Sequence, residues 1–82
     1  MPKYDEFAPI TPGRMLKEEF LVEYGLSQND LARRIGISPN RISDIVANRR
    51  RITADTAVRL GLYFGNSAEF WMNLQSNYDL KL

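Results

Sequence analysis

The sequence predicts an all-α fold, a compact domain of five helices, and three observations favour it. Apolar residues recur at helical spacing in five segments, whereas no segment shows the strict alternation of a half-buried strand. Each segment follows a residue type that commonly caps helices, and the connections between segments are short and contain Gly or Asn. The length of 82 residues suits one domain with one modest core.

The first helix is expected to follow an extended N-terminal arm, residues 1–10, which carries two prolines and no periodicity. Thr11 suits an N-cap and Pro12 the first helical position. The helix should run to about Tyr24 and end at Gly25, where a left-handed residue is wanted. Its apolar stripe is predicted at every fourth residue: Leu16, Phe20 and Tyr24.

Two short helices joined by a tight turn are expected next. Ser27 is predicted to cap the second helix, which ends at Gly36. Ser38 is predicted to cap the third helix, which Asn48 is expected to stop. Six apolar residues form their inner faces: Leu31, Ala32, Ile35, Ile42, Ile45 and Val46.

The last two helices follow a loop of three arginines. Thr53 is predicted to cap the fourth helix and Ser67 the fifth, with a break at Gly65 and Asn66 between them. The apolar positions of the fourth helix are Ala57, Leu60, Gly61 and Phe64. Those of the fifth helix are Phe70, Trp71, Leu74 and Tyr78.

Residues 27–47 have the spacing of a helix-turn-helix. Ala32 stands where two closely crossing helices need a small contact residue, and Gly36 stands where the turn needs a positive φ. Such a motif places its second helix in the major groove of DNA. Residues 11–82 are therefore expected to form one DNA-binding domain.

The distribution of charge supports this interpretation. The net charge of +1 conceals an excess of basic residues in one part of the chain. Residues 33–59 hold seven arginines against Asp44 and Asp55, whereas the segments on either side carry net negative charge. A clustered basic patch is typical of a surface that binds a polyanion, although arginines are also common on solvated helices.

The exposed positions of the third helix are the candidates for reading bases. Asn40 has the side chain that pairs with adenine, and Arg41 has the one that pairs with guanine. Asp44 either accepts from a cytosine amino group or orients Arg41, and a structural or orienting role is favoured over a base contact. The full set of candidates is Ser38, Asn40, Arg41, Ser43 and Asp44.

Phosphate contacts are expected from residues on both sides of the third helix. Gln28 opens the second helix, where its amide and the free backbone N–H groups can meet a phosphate. Five arginines complete this set: Arg33, Arg34, Arg49, Arg50 and Arg51.

Composition argues against several other classes of protein. The chain has no cysteine and no histidine, so thiol chemistry, a disulfide framework, the commonest general base and the commonest metal ligand are absent. No catalytic, cofactor or metal site is predicted. No apolar run approaches the length of a membrane span, and the first residues lack the order of a secretion signal. A cytoplasmic protein is expected.

The fifth helix carries more large apolar surface than a last helix needs. Trp71 is expected in the core of the monomer. DNA-reading domains of this kind usually work as pairs on two-fold sites, which favours a homodimer. The predicted dimer contacts are Leu74, Tyr78, Leu80 and Leu82.

Three segments of the chain together resemble a known family. They are PGRMLKEEFL, GLSQNDLARRIGISPNRISDIVANRRRITADTAVRL and YFGNSAEFWMNLQSNYDL, within residues 11–80. They are similar to the HigA-type antitoxins of the phage-repressor-like helix-turn-helix superfamily. The chain departs from the pattern in its arm, MPKYDEFAP, and in stopping soon after NYDLKL, where many relatives extend further.

The resemblance implies a lambda-repressor-like fold and a bacterial antitoxin. Such a protein neutralises a small toxin that cleaves mRNA on the ribosome, and it represses its own operon by binding a palindromic operator as a dimer. The implied base readers are Ser38, Asn40, Arg41 and Ser43, with Gln28 and Arg49 at phosphates.

Three alternatives remain open on sequence alone. A solitary helix-turn-helix regulator would have no toxin partner. A helical module that binds only proteins would have no affinity for DNA. An enzyme is disfavoured, because the chain lacks the residue patterns that catalytic sites need.

Overall fold

A computed structural model of the chain describes residues 10–81. Within that range it contains the five predicted helices and no strand, which confirms the expected fold class. The helices are α1 (residues 12–24), α2 (Gln28–Ile35), α3 (Pro39–Val46), α4 (Ala54–Phe64) and α5 (Ala68–Lys81). The predicted arm, apart from residue 10, and Leu82 lie outside the described residues.

Every helix begins at the cap residue that the sequence predicts. In each case the cap hydroxyl accepts a hydrogen bond from the backbone N–H three residues later, at 3.0–3.4 Å. The caps are Thr11, Ser27, Ser38, Thr53 and Ser67. Each such cap stabilises its helix by about 1 kcal/mol, because it satisfies an N–H group that has no partner within the helix.

Four of the helices end at a left-handed residue, which confirms the prediction for Gly25 and Gly36. Three of these residues are glycines, Gly25, Gly36 and Gly65, with φ between 63° and 76°. After α3 the left-handed residue is Asn48, with φ 62°. Among the described residues it is the only one other than glycine with a positive φ. Asparagine tolerates this conformation better than most side chains.

The middle of α1 departs from the regular α-helix that the sequence predicts. Residues Leu16–Leu21 form a π-helical turn, which is wider than an α-helical turn. In an α-helix, residues five apart point about 140° away from each other, yet here both Leu16 and Leu21 are buried. The stripe differs from the prediction at its far end: Leu21 enters the core, whereas Tyr24 is 51% exposed and packs its ring against Phe64 at 4.9 Å.

Every helix contributes at least one fully buried large side chain to the core. These side chains include Leu16, Leu31, Ile42, Leu60 and Trp71. Trp71 lies where the sequence places it, with its ring centroid 5.0 Å from that of Phe20 and its Nε1–H donating to Asn66 at 2.8 Å. Burial of large apolar side chains of this kind supplies the main stabilising free energy.

A close approach between α1 and α3 joins the first helix to the helix-turn-helix. Gly13 is buried, and a Cβ atom there would lie 2.8 Å from the carbonyl carbon of Ile45 and 3.0 Å from Cα of Val46. These are backbone atoms, which cannot rotate away. The absence of a side chain at Gly13 therefore sets the distance between the two helices.

Residues 10–81 lack two features that would indicate other classes of protein. None of the helices described there is both long and apolar enough to cross a bilayer. The same residues contain no group of three acidic, histidine or cysteine side chains placed to hold a metal ion.

Candidate nucleic-acid interface

The turn between α2 and α3 has the geometry of a helix-turn-helix. Ala32 is fully buried, as its predicted role as the small contact residue requires. Gly36 adopts φ 76°, and its N–H and that of Ile37 both donate to the carbonyl of Ala32, at 2.9 and 3.0 Å. This pair of hydrogen bonds to one carbonyl fixes the chain direction as it enters α3.

Arg59 of α4 holds the same turn from outside the motif. Its Nη1–H donates to the carbonyl of Ile35 at 2.7 Å, and its Nε–H donates to Asp55 at 3.1 Å. A Cβ atom on Gly36 would lie 3.0 Å from that Nη1. Sequence reasoning missed this role, although the spacing of Asp55 and Arg59 by four residues signals an ion pair along one helix face.

Most of the predicted base readers share the outer face of α3. The buried residues Ile42 and Ile45 define its inner face. With 3.6 residues per turn, Asn40, Ser43 and Asp44 point to the opposite side. The side chain of Asn40 is exposed, and those of Ser43 and Asp44 are partly exposed. The structure therefore brings these three together at one surface.

Ser38 and Arg41 lie at the edges of this surface. The Ser38 hydroxyl accepts from the N–H of Arg41 at 3.1 Å, so it is both the cap of α3 and a surface group. Arg41 lies on the flank that faces α4, where its Nη1 is 3.8 Å from Oδ2 of Asp55. The carboxylate beside Arg41 is thus Asp55 of the next helix.

Asp44 has a different set of partners from the one expected. Its Oδ1 accepts from Nε and Nη2 of Arg49, at 3.2 and 3.0 Å, and its Oδ2 lies 3.6 Å from Nη2 of Arg50. The hypothesis that Asp44 orients Arg41 is corrected by these contacts, because Asp44 is engaged with the loop that follows α3. A contact of Asp44 with a base stays a prediction.

The structure divides the candidate phosphate ligands into separate groups. Arg49 and Arg50 adjoin the α3 surface through Asp44. Arg51 instead contacts α5, where its Nη2 forms an ion pair of 2.6 Å with Oδ2 of Asp79. The Asp79 carboxylate raises the pKa of Arg51, and the Arg51 guanidinium lowers the pKa of Asp79.

The candidates on α2 lie at its two ends. Gln28 is the first residue of α2, next to the free N–H groups of that helix. Arg33 pairs with Asp30 at 2.9 Å, and the hydrogen bonds from Ser27 and Arg33 lower the pKa of Asp30. Arg34, near the far end, donates to the hydroxyl of Tyr63 in α4 at 3.3 Å.

The predicted dimer residues differ in how much surface they leave free. Leu74 is half-buried against the core of the monomer, and the hydroxyl of Tyr78 accepts from Nδ2 of Asn48 at 3.2 Å. Leu80 is 81% exposed. Leu82 falls outside the described residues.

Comparison with known proteins places this geometry in a family. The sequence profile of a helix-turn-helix family matches residues 16–71. Virulence-associated protein I of Dichelobacter nodosus is 50% identical over 78 residues, covering 95% of this chain and 72% of that protein. Antitoxin HigA-1 of Vibrio cholerae is 39% identical over 72 residues, covering 88% of this chain and 68% of that protein.

A solved structure supports the same placement. The Pseudomonas aeruginosa antitoxin HigA, determined with the higBA promoter, superposes with a TM-score of 0.85 at 53% sequence identity. The match covers 88% of this chain and 78% of that one. At this identity the likeness extends beyond the fold to the family.

Proposed function

Because the chain belongs to the HigA-type antitoxins of the helix-turn-helix family, we propose that it binds operator DNA through α3 and represses its own operon. The observation that carries this proposal is the joint surface of α3 and the loop after it. Asn40, Ser43 and Asp44 face outward there, and Asp44 links this face to Arg49 and Arg50. A helix with such a face fits the major groove of B-form DNA.

Base reading is assigned to four residues at or near the start of α3. Asn40 and Arg41 can each form two hydrogen bonds with one base, adenine and guanine respectively. Ser38 and Ser43 offer hydroxyls that donate or accept. Arg41 must leave or share its contact with Asp55 to reach a base, and at 3.8 Å between exposed side chains that contact is weak.

Phosphate binding is assigned to Gln28, Arg49 and Arg50, with Arg33 and Arg34 as further candidates. In the free protein Asp44 keeps the guanidinium groups of Arg49 and Arg50 beside α3. Phosphates would replace this carboxylate as their partner when DNA binds. The guanidinium groups of Arg49 and Arg50 are 61% and 48% exposed, so solvent screens their attraction to Asp44 and the exchange costs little.

The antitoxin role adds a protein partner, a small toxin of the mRNA-endonuclease type. The chain would bind and silence this toxin while acting as a homodimer on a palindromic operator. The dimer contacts are assigned to α5, through Leu74, Tyr78, Leu80 and Leu82. Two recognition helices would then meet half-sites about 34 Å apart, one turn of the duplex. This action is binding without a catalytic step, in the cytoplasm, where bacterial DNA lies.

Gel-shift and titration experiments on DNA test the first half of the proposal. The wild-type chain should bind a duplex from upstream of its own gene more tightly than a random duplex of the same length. Arg41→Ala should cost about 1–3 kcal/mol on the upstream duplex and relax sequence preference. Arg49→Ala should weaken binding to both duplexes and reduce the salt slope by about one.

Arg14→Ala is the matched control, since it removes an exposed arginine that pairs with Glu18 on α1. It should leave both affinities unchanged. Equal loss on the two duplexes for Arg41→Ala would refute the reading role of Arg41. A wild-type chain that does not distinguish the duplexes at all would refute operator binding.

Co-expression with the product of the adjacent gene tests the second half of the proposal, that the chain binds and neutralises a toxin. A toxin partner should co-purify with the chain, and the chain should rescue growth when the toxin is produced. The alternative is a solitary regulator, which binds the operator but has no such partner. Absence of co-purification and of rescue, with operator binding intact, would establish the alternative.

A further inference from the structure

Helix α5 is attached to the loop that carries the phosphate-binding arginines. This loop, residues 47–53, joins α3 to α4 and is here called the arginine loop. Three hydrogen bonds or ion pairs connect it to α5. Asn48 donates to Tyr78, Arg51 pairs with Asp79, and the N–H of Ile52 donates to Oε1 of Gln75 at 3.0 Å.

Gln75 is the centre of these contacts. It is only 5% exposed, although glutamine is usually found at the surface. Both ends of its carboxamide are used: Oε1 accepts from Ile52, and Nε2 donates to Asp79 at 3.1 Å. Asp79 in turn holds Arg51, so the three side chains form one network that ends at the loop backbone.

The arginine loop depends on such external contacts because it has no helical ladder of its own. At one end the N–H of Arg49 donates to the carbonyl of Asp44 at 2.8 Å. At the other end the N–H of Ile52 reaches Gln75, and the Ile52 side chain is buried in the core. Residue 50 and its neighbours are therefore held between a fixed point on α3 and a fixed point on α5.

We propose that Gln75 is a positioning residue for DNA binding: through it, α5 sets the backbone of the arginine loop and thereby directs Arg49 and Arg50 to the phosphates. The proposal rests on the proposed DNA-binding function and deepens it. It also links the helix assigned to dimerisation with the phosphate-binding groups of the same protomer. A change in how α5 is packed would then alter DNA affinity without touching the reading residues.

The decisive variant is Gln75→Met in the full-length chain. Methionine keeps the length of the side chain but offers no acceptor to the Ile52 N–H and no donor to Asp79. The affinity for the upstream duplex should fall about fivefold or more, and the salt slope should fall by about one for each phosphate that the arginine loop no longer reaches. Asn77→Met is the matched control, because Asn77 is an exposed carboxamide of the same helix.

Two further readouts separate positioning from a general loss of stability. In a chain that already carries Arg49→Ala and Arg50→Ala, Gln75→Met should cause no further loss of affinity, because the groups it positions are gone. The double change Gln75→Glu with Asp79→Asn keeps an acceptor for the Ile52 N–H and a hydrogen bond between positions 75 and 79. This variant should therefore retain most of the wild-type affinity that Gln75→Met loses. All variants are compared at a temperature where circular dichroism shows them folded.

The proposal is overturned if folded Gln75→Met binds with wild-type affinity and salt slope. It is also overturned if the loss is equally large in the absence of Arg49 and Arg50. Failure of the wild-type chain to bind the duplex would instead refute the proposed function. Amide hydrogen exchange would then still test whether Gln75 holds the arginine loop. Exchange of the Ile52 N–H should accelerate in Gln75→Met, and an unchanged rate would refute this contact.

Discussion

Asp55 and Arg41 face each other across the gap between α4 and α3, with Oδ2 of the aspartate 3.8 Å from Nη1 of the arginine. The same carboxylate accepts from Arg59, whose guanidinium also binds the carbonyl of Ile35. One acidic side chain thus connects the main candidate base reader to the turn of the helix-turn-helix. It also places a negative charge beside a surface proposed to bind DNA.

Asp55→Asn should therefore make DNA binding tighter and less selective. The change removes a charge that repels phosphates and a partner that restrains Arg41, while it keeps the shape of the side chain. Affinity for a random duplex should rise severalfold, and the ratio between upstream and random duplexes should fall. Titrations at two salt concentrations measure both. Glu69→Gln, at the start of α5, removes a charge from the first turn of another helix and should change neither value.

The stability of Asp55→Asn should change little. Loss of the charge from the first turn of α4 should lower the free energy of unfolding by about 0.3–1 kcal/mol, since a negative charge there interacts with the helix dipole. A larger loss in urea unfolding would show that the contact between Asp55 and Arg59 also stabilises the fold.

Gly36→Ala should destabilise the fold and also weaken DNA binding. The φ of 76° costs a residue with a side chain about 1–2 kcal/mol, and the new Cβ would press on Nη1 of Arg59 at 3.0 Å. Gly65→Ala is a matched control, because Gly65 has the same φ of 76° and no atom within 4 Å of the added Cβ. Chemical denaturation should show the cost of the positive φ in both variants and a larger loss in Gly36→Ala, whereas the loss of DNA affinity should be confined to Gly36→Ala.

Gly13→Ala should be more severe, because the clash is with backbone atoms of Ile45 and Val46. Alanine favours a helix by up to about 1 kcal/mol over glycine, but α1 and α3 would have to separate to admit it. A net loss of about 1–3 kcal/mol is expected from overpacking of this kind. Lys17→Ala, at an exposed position of the same helix, controls for helix propensity and should unfold like the wild type.

Acid should lower the stability of the chain in part through Asp79 and Asp30. The pKa of each carboxyl is lowered in the folded protein, that of Asp79 by its hydrogen bond from Arg51 and that of Asp30 by its hydrogen bonds from Ser27 and Arg33. Their stabilisation is complete above the unfolded pKa of about 3.9 and is lost as the pH falls through the folded pKa. Asp79→Asn should therefore reduce the drop in unfolding free energy between about pH 5 and pH 2. An unchanged drop would contradict this prediction.

Local signals in the sequence were sufficient for the helix boundaries. The cap hydroxyls and the left-handed glycines act within a few residues, so a short window of sequence contains both partners. Gly36 and Ala32 are predictable for the same reason, because the helix-turn-helix imposes a fixed spacing on them. The π-helical turn in α1 is not predictable in this way, because a widened turn leaves no clear mark in the pattern of apolar residues.

The pairing of charged side chains could not be predicted from spacing. Arg51 and Asp79 are far apart in the chain and meet only because α5 packs beside the arginine loop. The expectation that Asp44 orients Arg41 used helical spacing alone, whereas the long side chains of Arg49 and Arg50 fold back onto Asp44. Assignment of individual residues to bases, phosphates and the dimer interface stays a prediction.

The wide turn in α1 is a place where the chain can lose one residue without a change of fold. A π-helical turn amounts to one additional residue inside an α-helix. Loss of one residue within Leu16–Leu21 would return α1 to a regular helix while both flanks keep their orientation. The same loss elsewhere in a helix would rotate everything beyond it by about 100°. Relatives one residue shorter in this stretch should therefore align with α1 on both sides of the gap and share the same core.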